Sequence, residues 1–267
     1  MKYKKLKYIS RRLPQWQNIL LLKRKNTLEN LKKKLSEGVY VKSSGTTGES
    51  KTIFRTPENL RYCNKSAIDS QKISKNSRIY TVCKMEHAGG MLAQTLPALS
   101  VGAEIVVEEF NVKRFIKEIH KYTHSHITPR QAKIIMSSKN FNEMDLSKIW
   151  ITCGSDCVDW KSINAFVKRG ATFMVNWGMS EIGPCGINIA FSNEDTIKEY
   201  ISLEPNSLPI MGENFYCDYQ ISDSNELIVK GDICIYDDWF STGDLVIQKN
   251  KISSHNASPV IYFLGRN

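Results

Sequence analysis

Apolar positions along the chain follow three successive periods. From Gln15 to Ser36, Trp16, Ile19, Leu20, Leu28, Leu31 and Leu35 recur at helical spacing, and Gly38 supplies a terminator. A short extended run, Val39-Tyr40-Val41, precedes a loop of small polar residues, and Thr52–Arg55 reads as a second strand. Thr56-Pro57-Glu58 then has the chemistry of a helix start, with a hydroxyl cap and proline in the first turn. The middle of the chain alternates. Strand-like runs at 79–82, 104–107, 123–128, 148–152 and 172–175 are separated by helical patterns near 90–99, at 112–122, from Pro129, and at 159–168. After Glu194 the pattern changes to short strands with turns, at 218–222, 226–230, 245–248 and 260–263. The fold class predicted is α/β: a mostly parallel sheet layer with flanking helices, followed by a small β-rich subdomain. Three segments follow from it: an N-terminal arm and helix (1–37), an α/β core (38–193) and the β-rich part (194–267).

Charge modifies this picture at one end. The formal net charge is +10, yet residues 1–35 alone hold twelve basic side chains against one acid, Glu29. The remainder is close to neutral. The protein therefore reads as a near-neutral body with a basic arm, which disfavours a nucleic-acid-binding body and suits either a solvated face or an acidic partner such as a carrier protein. An apolar content of 41% excludes a disordered chain. The run Ile19-Leu20-Leu21-Leu22 stops at Lys23, too short for a membrane span or a signal peptide. Seven scattered cysteines suggest free thiols in a reducing cytoplasm, with Cys153 and Cys157 expected as buried thiols rather than a redox pair. His120, His124 and His126 lack the further ligands that a zinc site needs.

The loop Ser43-Ser44-Gly45-Thr46-Thr47-Gly48-Glu49-Ser50-Lys51 carries the candidate chemistry. Its glycines let backbone approach a ligand, its N–H and O–H groups can donate to phosphate oxygens, and Lys51 adds positive charge. A flexible surface turn is the plainer alternative. A Walker loop requires a second glycine where Ser50 stands and a helix immediately after, but Thr52–Arg55 is extended and Pro57 would break such a helix.

The loop resembles the Ser-Gly-Thr-Thr-Gly-x-Pro-Lys signature of adenylate-forming enzymes, the group of acyl-CoA synthetases, luciferases and peptide-synthetase adenylation domains, with Ser50 replacing proline. Further segments resemble that family's motifs in the same order: Asn176-Trp177-Gly178-Met179-Ser180-Glu181, Asn225–Gly231, Asp238-Trp239-Phe240-Ser241-Thr242-Gly243-Asp244-Leu245, and Leu264-Gly265-Arg266. Within the family, Glu86–Gly90 and Thr123–Gln131 look most like o-succinylbenzoate-CoA ligase.

The resemblance implies that ATP and a carboxylic acid react to give an acyl-adenylate and pyrophosphate. Ser43, Ser44, Gly45, Thr46, Thr47, Gly48 and Lys51 would hold the β- and γ-phosphates, and Ser180 the α-phosphate. Glu181 would bind Mg2+. Gly154, Ser155, Asp156, Asn176, Trp177, Gly178 and Met179 would surround the adenosine and the pocket wall. Asp244, assisted by Arg266, would hold the ribose, and His87 would stand near the acyl carboxylate. Small residues at Ala88, Gly89, Gly90 and Gly186 would leave room for an aromatic or medium apolar acid. Only 42 residues precede the loop and the sequence stops one residue past Arg266, so the expected form is a reduced AMP-binding core without the family's C-terminal lid and its lysine. Two functional readings remain open: a minimal adenylating enzyme, with CoA, a carrier protein or another acceptor, and a non-catalytic AMP- or acyl-adenylate-binding module. A split enzyme using a separate lid chain, and a homo-oligomer, are further partner arrangements the sequence allows.

Overall fold

The computed structural model describes Lys33 and residues 35–42, 51–252 and 257–267. Most of the expected helix from Gln15 to Ser36 lies outside them; residues 35–37 are helical, and Leu35 packs against the cluster containing Val39 and Val41.

Strands β1 (Val39–Lys42) and β2 (Thr52–Arg55) pair antiparallel, with Lys42 opposite Thr52. A strand, not a helix, therefore follows the small-residue loop, as the exclusion of a Walker loop requires. The helix Pro57–Gln71 starts where expected: the Thr56 hydroxyl accepts from the Asn59 N–H, and proline occupies the first turn.

The main layer has seven strands. In chain order they are β3 (Arg78–Thr81), β4 (Glu104–Val107), β5 (His124–Ile127), β6 (Trp150–Gly154), β7 (Thr172–Met179), β8 (Gly183–Phe191) and the later β10 (Asn214–Phe215), in the spatial order β10-β8-β7-β6-β5-β3-β4. The pairs β4–β3, β3–β5, β5–β6 and β6–β7 are parallel, and β8 turns back antiparallel on β7. Parallel strands must be covered on both faces. One face packs Phe115, Ile135, Phe166 and Phe173 in one large cluster. The other lies under the helix Pro57–Gln71 and a helical stretch from Ala88 to Val101 whose middle, Met91–Thr95, is π-helical.

A five-stranded antiparallel sheet is built from β9 (Ile210–Gly212), β11 (Asp218–Ile221), β12 (Glu226–Lys230), β13 (Phe240–Ile252) and β14 (Ala257–Arg266), while β10 (Asn214–Phe215) joins the larger sheet. Its Ile210, Val260 and Tyr262 enter the same apolar cluster as Phe173 and Phe191, so one core runs under both sheets.

Two local differences from the sequence reading stand out. Residues 183–191 form a strand, and Glu194–Leu203 is a helix rather than the start of the short-strand pattern. The expected strands at 245–248 and 260–263 are the middles of the much longer β13 and β14.

Candidate active site

The carboxyl ends of parallel strands are where open α/β sheets expose loops and unpaired backbone groups to a ligand. Here β6 ends at Gly154, β7 runs through Asn176, Trp177 and Gly178 to Met179, and Ser180-Glu181 follows directly. Gly154 faces Asn176 in register, and a Cβ on Gly154 would stand 2.2 Å from the Asn176 carbonyl oxygen. Only glycine fits there. Ser155 takes a left-handed turn at φ 78°, and Asp156 Oδ1 accepts from the Cys157 N–H. Asn176 is buried, and its side-chain Oδ1 has no hydrogen-bond partner.

Ser43, Ser44, Gly45, Thr46, Thr47 and Gly48 lie outside the described residues. The strands that flank them are described, and Lys42, the last residue of β1, is the centre of one convergence. Its carbonyl oxygen accepts from Ser180 Oγ at 3.3 Å and from His87 Nδ1 at 3.1 Å. Because a carbonyl can only accept, His87 carries a proton on Nδ1, and its Nε2 lies 3.9 Å from Glu86 Oε1. The Lys42 N–H in turn donates to the Glu86 carbonyl. Two side chains assigned to the α-phosphate and to the acyl carboxylate thus meet at the base of the small-residue loop. Lys51 is exposed immediately before β2.

A second convergence involves Asp244. It lies within β13, buried at 5% exposure, opposite Arg266 on β14. Trp177 Nε1 donates to its Oδ2 at 2.8 Å, and Arg266 Nε stands 3.3 Å from its Oδ1. Burial pushes the Asp244 carboxyl above the ordinary carboxylate range, while the Trp177 N–H and the Arg266 charge oppose that shift.

Glu181 is half-buried, and among the described residues its carboxylate has no hydrogen-bond or ion-pair partner. A carboxylate available beside the Ser180 hydroxyl is a hard-oxygen donor set that fits a magnesium ion carried in by nucleotide phosphates. Its backbone is fixed from below, since the Glu181 carbonyl accepts from the Ile235 N–H and Arg55 Nη2 donates to the Ser180 carbonyl at 2.6 Å.

Of the small residues expected to leave space for an acid, Gly90 serves packing: a Cβ there would come within 2.4 Å of the Lys84 carbonyl oxygen. Gly89 and Gly186 border rings, with added Cβ atoms 3.0 Å from the His126 Cε1 and 3.4 Å from the Trp177 Cζ3. Cys153 is buried as expected, but Cys157 is exposed in the turn after Ser155, correcting that expectation. His124 and His126 are buried in β5, each bonded to a backbone carbonyl. Among the described residues no group of three His, Cys, Asp or Glu side chains is placed to hold a metal unaided. No helix among them is long and apolar enough to cross a membrane.

Arg55, Asn59 and the Lys42 carbonyl were not legible as site residues. Arg55 looks like the end of an ordinary strand, and a main-chain acceptor has no side-chain signature.

The carboxyl edge of the parallel sheet thus gathers a hydroxyl, an acid and an imidazole at the end of β1. The chain belongs to the AMP-binding enzyme family, whose model matches residues 39–243. It is 26% identical over 223 residues to an indoleacetate–CoA ligase from Aromatoleum aromaticum, covering 76% of this chain and 44% of that protein. A long-chain-fatty-acid–CoA ligase from Haemophilus influenzae is also 26% identical, over 177 residues covering 58% of this chain and 31% of the relative. The chain thus spans less than half the length of the curated relatives it matches. Among solved structures, ATP-bound MatB from Rhodopseudomonas palustris superposes with a TM-score of 0.66 at 15% identity, over 85% of this chain and 47% of that one. The o-succinylbenzoate coenzyme A synthetase (MenE) of Bacillus subtilis, in complex with ATP and magnesium ion, gives 0.65 at 18%, over 85% and 49%. These structural likenesses bear on the fold.

Proposed function

We propose that this chain forms acyl-adenylates from ATP and a carboxylic acid, acting in the cytoplasm where its thiols stay reduced. The observation that carries the reading is the meeting of Ser180 and His87 at the Lys42 carbonyl, directly before the small-residue loop. In the reaction a carboxylate oxygen attacks the α-phosphorus, a new O–P bond forms, and the bond to pyrophosphate breaks. The protein's task is to hold nucleophile and phosphorus in line and to balance the charge on the phosphate oxygens.

Each residue then has a task. The loop residues 43–48 and Lys51 bind the outer phosphates, and the Ser180 hydroxyl donates to the α-phosphate. Glu181 would hold a magnesium ion, which when bound would neutralise phosphate charge. His87, held by the Lys42 carbonyl, stands near the incoming carboxylate. The unpartnered Oδ1 of Asn176, beside the Gly154 turn, suits the adenine amino group. Trp177 lies against the base and Asp244 accepts from the ribose. The pocket bounded by Gly89 and Gly186 suits an aromatic or medium apolar acid, in keeping with the indoleacetate relative. The acyl acceptor is CoA or a carrier protein.

Carboxylate-dependent exchange of labelled pyrophosphate into ATP tests this, with indole-3-acetate, benzoate and octanoate as first acids. Exchange with any of them above the acid-free rate is expected, and Ser180→Ala should lower it about a hundredfold. No exchange across a broad panel, together with tight AMP binding, would instead identify a non-catalytic adenylate-binding module.

A further inference from the structure

We infer that the Trp177 indole N–H is a positioning group for Asp244, orienting its carboxylate so that it reads a vicinal diol and setting the preference for ribonucleotides over 2′-deoxyribonucleotides. The inference rests on the nucleotide reading above and adds to it a determinant of sugar specificity.

An ionised carboxylate offers about four lone-pair sites, two on each oxygen. In Asp244 one site on Oδ2 is taken by Trp177 Nε1 at 2.8 Å, and one on Oδ1 faces Arg266 Nε at 3.3 Å. The two donors hold opposite oxygens, so one site is left on each. That is the pattern needed to accept from two neighbouring hydroxyls at once, and a sugar with a single hydroxyl would use half of it.

The terminal torsion of aspartate is soft, so a carboxylate without fixed partners swings through a wide range. The backbone beneath it is firm. The Asp244 N–H donates to Thr242 Oγ1, the Thr242 hydroxyl donates to the Leu227 carbonyl, and the Asn267 N–H donates to the Gly243 carbonyl. What remains free is the carboxylate plane, and the Trp177 and Arg266 donors fix it. The Arg266 side chain is 41% exposed, whereas Trp177 is partly buried and packs against the apolar cluster that contains Ile182, Ile187 and Leu227, so the indole is the more rigid of the two. An indole can do this while its face stays available, because its N–H projects from the ring edge. A phenylalanine in its place would keep a ring face and lose the donor.

Both donors also favour the ionised carboxylate against the burial that disfavours it. Removing one therefore weakens a carboxylate-to-hydroxyl bond twice, through orientation and through charge.

The test compares ATP with 2′-deoxy-ATP by isothermal titration on the full chain. The wild type should prefer ATP by about tenfold, the worth of one hydrogen bond to a charged group. Trp177→Phe should bring that preference to about threefold or less, the affinity for ATP falling more than that for 2′-deoxy-ATP. Replacing Trp177 with benzothienylalanine, which exchanges the N–H for sulfur in a ring of the same shape, should give the same result in a protein whose packing is undisturbed. Equal weakening of both nucleotides would assign Trp177 a packing role only and overturn the inference. Tighter binding of both would mean that the bond obstructs the site, and would overturn it as well. If the wild type bound neither nucleotide, the nucleotide reading itself would fall, an outcome distinct from unchanged discrimination in the variants.

Discussion

His126 illustrates how one residue's burial becomes a property of the whole fold. It sits on β5 at 1% exposure, donates from Nδ1 to the Gly89 carbonyl, and leaves Nε2 buried without a partner. Burial pushes its pKa down to about 4. An unfolded histidine takes up its proton near pH ~6.5, so between that value and about 4 the unfolded chain holds a proton that the folded chain does not. Stability from this group is complete above the unfolded value and is lost as pH falls through the window, by up to about 3 kcal/mol. His124, lowered in the same direction by burial, adds to the trend. Urea unfolding at pH 7 and pH 5 should show a clear drop in the midpoint at the lower pH. His126→Gln should flatten that dependence, and an identical slope in the variant would assign the loss to other groups.

At the scale of elements, the β6–β7 pair holds the candidate adenosine turn, and its tolerance is small. Gly154→Ala would drive a methyl into the Asn176 carbonyl oxygen, which belongs to a central strand and cannot step aside. The strands must part locally, at a cost of about 2 kcal/mol, and AMP affinity should fall with them. Thermal unfolding and AMP titration check this; wild-type values for both would mean that the turn is looser than its packing indicates. The elements that the sequence makes plain are those whose pattern and caps agree, such as the helix Pro57–Gln71 behind Thr56 and the buried parallel strands. Strand β8 is hidden by Gly183-Pro184-Cys185-Gly186, a composition that reads as turn, although the Pro184 carbonyl there accepts from the Ser66 hydroxyl. The helix Glu194–Leu203 did carry a signal: Asn193 caps it, Glu194 and Asp195 fill its first turn, and Ile197, Tyr200 and Ile201 share helical spacing. The motif residues of the site were legible because each is a side chain in a recurring order. Lys42 and Arg55 were not, because their work is done through main-chain oxygens on segments distant in sequence.

At the scale of the molecule, Arg55 ties the two sheets to the candidate site. It is fully buried, and among the described residues no carboxylate pairs with it. Its Nη1 donates to Asn59 Oδ1 and, at 2.7 Å, to the Ile233 carbonyl, while Nη2 reaches the Ser180 carbonyl. Asn59 continues the link, donating from Nδ2 to the carbonyls of Asp232 and Cys234 at 2.7 Å each. One cation, held by neutral acceptors alone, thus spans the β2 end, the first turn of the following helix, the segment after β12 and the residue assigned to the α-phosphate. Burying an unpaired charge is costly, so its retention points to the joining of these segments rather than to net stability. Arg55→Met would keep much of the volume and remove the charge, but would leave the Ser180 and Ile233 carbonyls without their donor. The unfolding free energy should fall by roughly 3 kcal/mol. Pyrophosphate exchange should fall further than stability explains, because the Ser180-Glu181 backbone loses its support from below. Arg55→Lys, which can reach one acceptor but not span several, should recover stability more than exchange. If both variants unfold like the wild type, the segments are joined by the shared apolar core alone, and Arg55 is an incidental guest in it.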